Sequence, residues 1–447
     1  MMPAPWDDAA PEHRAELPDA VDAVVIGGGI AGVMAGWELA RRGWRVVLCE
    51  KGRVAGEQSG RNWGWIRAQG RDPSELPLMM EARAAWADLA ARLGPGLGYA
   101  RAGVTYLANG PADLARYEAW LPNARAHALD TRLLTPAELQ AMFPGLTPGT
   151  WSGALHTASD ARAEPFAALP LIARAAVADG LMIREHCAVR ALDRAGGRIA
   201  GVITEEGRIR APVVILAAGA WSGLFLRAHG VDLPQLAVLS SVAATPPIAG
   251  LHRGAAADNR FALRLRADGG YTIAPGAAHT AFVGPDAIRH ARPFWQLLRG
   301  NWRHTRLGLA PRGFPDAWTT PRRWDADRPG PFEALRVLDP APDRRALEAV
   351  RRAFARAFPS VGLPPVVRAW AGMIDTLPDV VPVIDRVPAL PGLVVGTGLS
   401  GHGFGIGPAV GRALADLAAG QTPAHDLTRF RWSRFSDGSR IAPGPSL

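Results

Sequence analysis

The sequence predicts an α/β chain, α+β overall, with a parallel βαβ unit at its amino end and a longer region of short strands and helices behind it. Three observations carry this reading. An apolar run, Asp22-Ala-Val-Val-Ile26, leads directly into Gly27-Gly-Gly29-Ile-Ala-Gly32. A helical pattern follows over residues 33–42 and stops at Gly43, after which a second apolar run, Arg45-Val-Val-Leu-Cys-Glu50, ends in an acid. The chain has 447 residues, 48% of them hydrophobic, enough for two or three domains with cores of their own.

The glycine pattern at the first turn has a chemical reading. Gly27 makes a tight turn, Gly29 lets backbone N–H groups approach a pyrophosphate, and Gly32 lets helix and strand pack closely. The amides of Ile30 and Ala31 then open a helix whose positive end favours phosphate. Glu50 stands roughly 20 residues after the first glycine, where a carboxylate holds ribose hydroxyls, with Lys51 directly beside it. This is a Rossmann-like dinucleotide-binding unit. A second formal match, Gly396-Thr-Gly398-Leu-Ser-Gly401, lacks a following strand and terminal acid, so one dinucleotide is expected.

Composition excludes several classes. The net charge is +9, but Lys51 is the only lysine and the arginines are spread along the chain, so no nucleic-acid partner is expected. Two cysteines, Cys49 and Cys187, exclude a disulfide framework and a multi-cysteine metal site, and no metal is expected. No apolar window approaches the roughly 18 residues of a membrane span. The first twenty residues carry five acids and no apolar core, which is not a secretory signal, so a cytoplasmic location is expected. Residues 288–309 combine Arg, His and Trp; an arginine-coated helix over the second domain, interrupted at Pro293, is favoured there over a peripheral membrane contact.

Further segments follow in a characteristic order. They are Glu57-Gln-Ser-Gly-Arg-Asn-Trp-Gly-Trp65, Val213-Val-Ile-Leu-Ala-Ala-Gly-Ala-Trp-Ser222, Trp370-Ala-Gly, Leu377-Pro-Asp379, Pro382-Val-Ile-Asp385 and Gly398-Leu-Ser-Gly-His-Gly-Phe-Gly-Ile-Gly-Pro408. With the glycine turn and Glu50, they resemble the FAD-dependent D-amino-acid oxidase superfamily, which includes glycine oxidase, sarcosine oxidase and D-amino-acid dehydrogenases. The resemblance implies a discontinuous FAD-binding domain from residues 20–75, 151–228 and 368–425. A substrate domain with a large mixed or antiparallel sheet would take residues 76–150 and 229–367, leaving 1–19 and 426–447 as tails. Local patterns agree: helices are expected over 81–93, 166–177 and 344–358, and Thr135-Pro-Ala-Glu138 is a capping box. Strands are expected near 238–244, 261–266 and 271–274.

The resemblance also implies a set of site residues. Ser59, Arg61, Asn62, Trp63 and Gly64 would lie along the flavin, Val189 near the adenine, and Gly219 and Trp221 at the end of the middle strand. Residues 400–407 would form a glycine-rich loop opening a helix from Pro408. The backbone of Gly401, His402, Gly403, Phe404, Gly405 and Ile406 would there stabilise the negative charge of reduced flavin and raise its potential. Attachment would be non-covalent, because Gly372 stands where sarcosine-oxidase relatives place their attaching cysteine.

The implied chemistry is oxidation of an amine or amino-acid C–N bond to an imine by hydride transfer to flavin N5. Tyr271 and His402 are the candidate catalytic groups, and Trp65, Arg264, Arg266, Met373 and Phe404 the candidate substrate contacts. Many relatives have Trp-Ala-Gly-x-Arg, whose arginine binds the substrate carboxylate; here Ile374 takes that place, and Arg264 or Arg266 is a replacement by guanidinium chemistry. Some oxidases of the family use a lysine near N5 for O2, and this chain has only Lys51, so a quinone or carrier protein competes with O2 as acceptor. The alternative reading is the flavin subunit of a hetero-oligomeric amine or opine dehydrogenase.

Overall fold

The computed structural model describes Ala4 and residues 10–444, so parts of both expected tails lie outside the described residues. The first fifty residues form the βαβ unit: strand Ala23–Ile26, helix Ile30–Arg41 and strand Val46–Glu50. Ala23–Ile26 pairs in parallel with Val46–Glu50 on one side and Val213–Leu216 on the other. Met182–Glu185 and Leu393–Thr397 extend the sheet in parallel, and Val383–Arg386 closes one edge antiparallel. These strands read as continuous apolar runs because helices or a second sheet cover both of their faces.

A second, ten-stranded sheet is mixed in direction. Its longest member, Leu236–Pro247, pairs antiparallel with Arg368–Thr376, from Leu236 opposite Thr376 to Ala244 opposite Arg368. Gly153–Thr157 and Arg368–Thr376 both join this larger sheet, although they lie in segments expected to belong to the FAD-binding domain. Strands Ala262–Leu265 and Gly270–Ala274 and helices Leu76–Leu93, Pro165–Ala178 and Arg344–Ala357 form close to their expected bounds. The capping box at Thr135 is present, its hydroxyl accepting from Glu138 N–H and the Glu138 carboxylate accepting from Thr135 N–H at 2.8 Å.

Two expectations need correction. The last α-helix starts at Gly403, not Pro408, so residues 403–407 are its first turns rather than a loop. Packing overrides glycine's low helix propensity there, because the small residues face neighbouring backbone and side chains at contact distance. Residues 288–309 are not a single helix either: helix Pro285–Arg289 ends just ahead of Pro293, a new helix, Ala291–Asn301, starts with Pro293 in its first turn, where no intrahelical N–H is needed, and strand Thr305–Gly308 follows. Among the described residues no helix is long and apolar enough to cross a membrane.

The last helix, Gly403–Ala418, lies directly on Ile30–Arg41. A Cβ on Gly411 would stand 2.4 Å from Met34 Cβ and 2.8 Å from Ala35 N, and one on Gly407 would stand 2.5 Å from Ile30 Cγ1. Only glycine allows this approach. The contact leaves both helices with their N-termini at the carboxyl edge of the parallel sheet. Replacement Gly411→Val must push the helices apart, costing roughly 1–3 kcal/mol by overpacking. Thermal unfolding of Gly411→Val is expected several degrees below the parent chain, together with loss of cofactor content; unchanged melting and content would contradict this role for the contact.

Candidate active site

One large cavity is lined by residues from both sheets, and both glycine fingerprints open into it. Gly27 has φ +110°, and a Cβ on it would stand 2.5 Å from Ala217 O, so the first turn is closed to any side chain. Helix Ile30–Arg41 has Gly29 at its N-cap with no side-chain cap, and helix Gly403–Ala418 likewise has none at His402. Ser59 Oγ accepts from Ile30 N–H at 3.0 Å. Two helix N-termini thus face one space, and apart from Ile30 N–H, which Ser59 takes, their first-turn amides have no capping side chain.

Glu50 stands at the end of its strand in the cavity wall. Its carboxylate accepts from Gly28 N–H at 2.6 Å and from Gly52 N–H at 2.7 Å, leaving lone pairs for two hydroxyls. Burial pushes this carboxyl up to about 7, against the opposing pull of Lys51 and the two N–H groups. Lys51 Nζ bonds Glu57 at 2.7 Å and the Leu335 and Arg336 carbonyls, and lies 4.4 Å from the centre of the Trp221 ring. Val189, Gly219 and Trp221 line this same end.

The segment expected along the flavin does line the cavity, but its polar side chains shape the loop itself. Asn62 Nδ2 donates to the Gln58 and Ser59 carbonyls, and its Oδ1 accepts from Gly64 N–H at 2.7 Å. Arg61 donates to the Gly56 and Ala371 carbonyls and pairs with Asp339, tying the loop to strand Arg368–Thr376. Trp63 and Trp65 meet edge to face, with centroids 5.2 Å apart. Trp65 Nε1 is buried with no hydrogen-bond partner in the protein.

At the other end stands a group that the sequence reading did not include. Arg67, Arg71 and Tyr106 line the cavity beside His402 and Phe404. Arg67 lies 5.3 Å from the centre of the Tyr106 ring, and the Arg71 Nη2 donates to His402 O at 3.3 Å. Burial and the neighbouring Arg67 bring Arg71 down to about 10, so it stays charged at neutral pH. Behind them His402 Nε2 bonds Glu75 Oε1 at 3.1 Å. Burial lowers the His402 pKa below its ordinary value, partly offset by Glu75, so the neutral ring donates Nε2–H to the carboxylate. Arg67 was legible: it continues the alternation Trp63, Trp65, Arg67 on one face. Tyr106 and Glu75 come from distant segments and had no local signal.

Several expected residues lie elsewhere. Tyr271 is buried in a separate core, its hydroxyl donating to His252 O at 2.5 Å and accepting from His252 N–H at 3.0 Å, so it holds a loop and does not line this cavity. Met373 points into the core on the opposite face of its strand; the two-residue alternation puts Gly372 and Ile374 on the cavity side instead. Arg264 is paired through both terminal nitrogens with Glu164, and Arg266 bonds Tyr271 O, Thr245 O and Asp268. Both face a second cavity, not this one. Gly32, Gly64, Gly405 and Ile406 stand behind the wall: a Cβ on Gly32 would meet Gly27 O at 2.1 Å, and Gly405 O accepts from Trp86 Nε1.

The donor set fits FAD. Two open helix N-termini suit phosphate and a developing negative charge, Glu50 suits ribose hydroxyls, and an unpartnered indole N–H awaits an acceptor. Because an ionised carboxylate accepts both hydroxyl protons, FAD binding is expected to tighten as pH rises through about 7. Glu50→Gln should weaken binding by roughly tenfold at pH 8, as expected for a charge-assisted hydrogen bond, and flatten that dependence. Fluorescence titration of the apoprotein with FAD checks both; an unchanged affinity and pH profile would contradict the ribose assignment.

Comparison with known proteins agrees with this cavity. The model of the DAO family, FAD-dependent oxidoreductases, matches residues 22–417. The structure of L-amino acid deaminase from Proteus myxofaciens in complex with anthranilate superposes with a TM-score of 0.90 and 32% identity, over 96% of this chain and 97% of that one. N-methyl-L-tryptophan oxidase from Salmonella arizonae is 27% identical over 93% of this chain and 99% of its own length. Mouse mitochondrial sarcosine dehydrogenase is 29% identical over 58% of this chain, which spans only 30% of that protein. The chain belongs to the DAO family of FAD-dependent oxidoreductases and is an enzyme of that family.

Proposed function

We propose that the chain oxidises the C–N bond of an amino acid to an imine, with non-covalently bound FAD, and passes the electrons to a carrier or quinone faster than to O2. The chemistry that bound FAD would supply is a hydride acceptor for the carbon next to nitrogen, giving an imine open to hydrolysis by water. The observation that carries the substrate class is the pair Arg67 and Arg71 beside the first turn of the last helix. Arg71 donates to His402 O and faces Glu75 with its Nη1 left without a hydrogen-bond partner, and Arg67 donates from Nη1 to Gln69 O with its other N–H groups left over, so the pair offers guanidinium donors for a carboxylate in place of the arginine absent at Ile374. Names among the relatives, an L-amino acid deaminase and an N-methyl-L-tryptophan oxidase, favour the same class.

The surrounding residues orient rather than exchange protons. Trp65, Tyr106 and Phe404 form a dry aromatic wall, which strengthens the Arg67–carboxylate contact and favours the neutral, reactive amine. The first-turn amides of the last helix stabilise the negative charge that reduction brings. Lys51 is engaged by Glu57 and two carbonyls, which leaves no lysine to assist O2. Cys187 lies off the cavity and Cys49 is in the wall beside Glu50, which supports non-covalent attachment.

Anaerobic bleaching of the flavin by a panel of amino acids, N-methyl amino acids and amines without carboxylates tests the proposal. Amino acids should bleach it and the carboxylate-free amines should not. Arg67→Met should raise the concentration needed for half-reduction by roughly 10- to 150-fold, the loss of a hydrogen bond to a charged group. Equal bleaching by both classes, or no effect of Arg67→Met, would sink the substrate assignment. Turnover is expected with an artificial dye and to be slow with O2, and acid precipitation should release all the flavin.

A further inference from the structure

Residues 288–312 carry six arginines and no acid. Arginines do coat helix Ala291–Asn301, but large apolar groups share its outer side. Ile288, Arg292, Trp295, Arg299 and Trp302 recur every three or four residues, so they stand along one side of the helix and its flanks. All five are exposed, Trp295 by 64% and Trp302 by 66%, while Phe294 is buried and anchors the helix. The surface continues past the helix end. His304 N–H donates to Asn301 O and His279 N–H to His304 O, which ties the helix to strand Thr305–Gly308 at the edge of the larger sheet. Leu307 and Leu309, two residues apart, are exposed by 70% and 74%. Trp318 is exposed as well, and its Nε1–H donates to Val283 O. Val283 N–H in turn donates to Gly308 O, so Trp318 stands at the end of that strand pair.

Scattered apolar side chains on a surface need no explanation, but six large ones interleaved with arginines do. We propose that residues 288–318 are a docking surface for an anionic membrane, with the tryptophans and leucines seated among the headgroups and the arginines on lipid phosphates. Tryptophan prefers that boundary, and arginine lays its stem on apolar surface while its guanidinium reaches the headgroups. Among the described residues only Arg306 of the six arginines pairs with an acid, Asp343. The charge left over is complementary to an anionic lipid surface. A second copy of the chain is the poorer occupant, because a two-fold contact would set arginine against arginine with no acid to answer. The apolar groups stand out from a helix and an edge strand and line neither cavity, which suits insertion between headgroups.

The platform beneath is braced. Asp286 pairs with Arg227 and Arg322, and Asp316 accepts from Asp286 N–H at 2.7 Å and from Ala287 N–H at 3.2 Å. These bonds pin helix Pro285–Arg289 to the turn that carries Trp318. They also engage both carboxylates within the protein, which leaves the outer surface basic. The surface is independent of what the enzyme oxidises, and its occupancy is measured without turnover.

Sedimentation of the FAD-loaded chain with vesicles tests it, using phosphatidylcholine alone or mixed one to one with phosphatidylglycerol. The chain should bind the mixed vesicles at low salt, bind pure phosphatidylcholine roughly tenfold more weakly or less, and leave the mixed vesicles at high salt. Trp295→Ser combined with Trp302→Ser should weaken binding by roughly tenfold or more, and so should Arg292→Gln combined with Arg299→Gln. All four side chains are exposed, so FAD content and melting temperature should be kept in both variants. No binding to the mixed vesicles, equal binding to both kinds, parent-like binding by either variant, or a parent oligomer that the tryptophan variant dissociates would overturn the proposal.

Discussion

The close packing of helix Gly403–Ala418 on helix Ile30–Arg41 is the constraint on which the site depends. Gly407 and Gly411 bring the two axes near enough that both N-termini open on one cavity. Neither terminus carries a side-chain cap. Each leaves several backbone donors pointing at the cavity, an arrangement that favours negative charge at two places. One terminus follows the first glycine fingerprint and suits phosphates; the other follows the second and suits charge that develops on reduction. A chain with these helices a few ångströms apart would keep its sheet and lose this convergence.

The loop between them does a different job from the one its composition suggests. Arg61 and Asn62 look like ligand contacts in the sequence, yet their hydrogen bonds run to Gly56, Ala371, Gln58, Ser59 and Gly64. They fix a loop whose apolar members, Trp63 and Trp65, then face the cavity. Fixing a loop by side chains that bond backbone groups lets aromatic surface stay exposed to a ligand without collapsing. The same bracing makes the loop a rigid boundary between the two cavities, with Asn62 in the wall of both.

What could be read in the sequence was what local rules decide. The βαβ unit, Glu50 and the capping box at Thr135 each depend on residues within about twenty positions and on fixed turn geometry. The strand at Arg368–Thr376 shows the limit: its existence was legible, but the register that turns Ile374 rather than Met373 to the cavity is set by pairing with Leu236–Pro247. Arg264 and Arg266 do share one face, as alternation requires, but which space that face meets depends on helix Pro165–Ala178 and its Glu164. Tyr271 gave no sign of its loop partner, since His252 is brought to it only by tertiary folding. The last helix began earlier than its glycines suggested because close packing outweighs their conformational cost.

The central claim is that one FAD lies across both helix N-termini and that the second of them stabilises the charge of reduction. A potentiometric titration of the FAD-loaded chain against free FAD in the same buffer addresses it directly. The account predicts a midpoint potential for the bound flavin above that of free FAD. A bound potential equal to or below the free value, or an apoprotein that takes up no FAD to titrate, would contradict it.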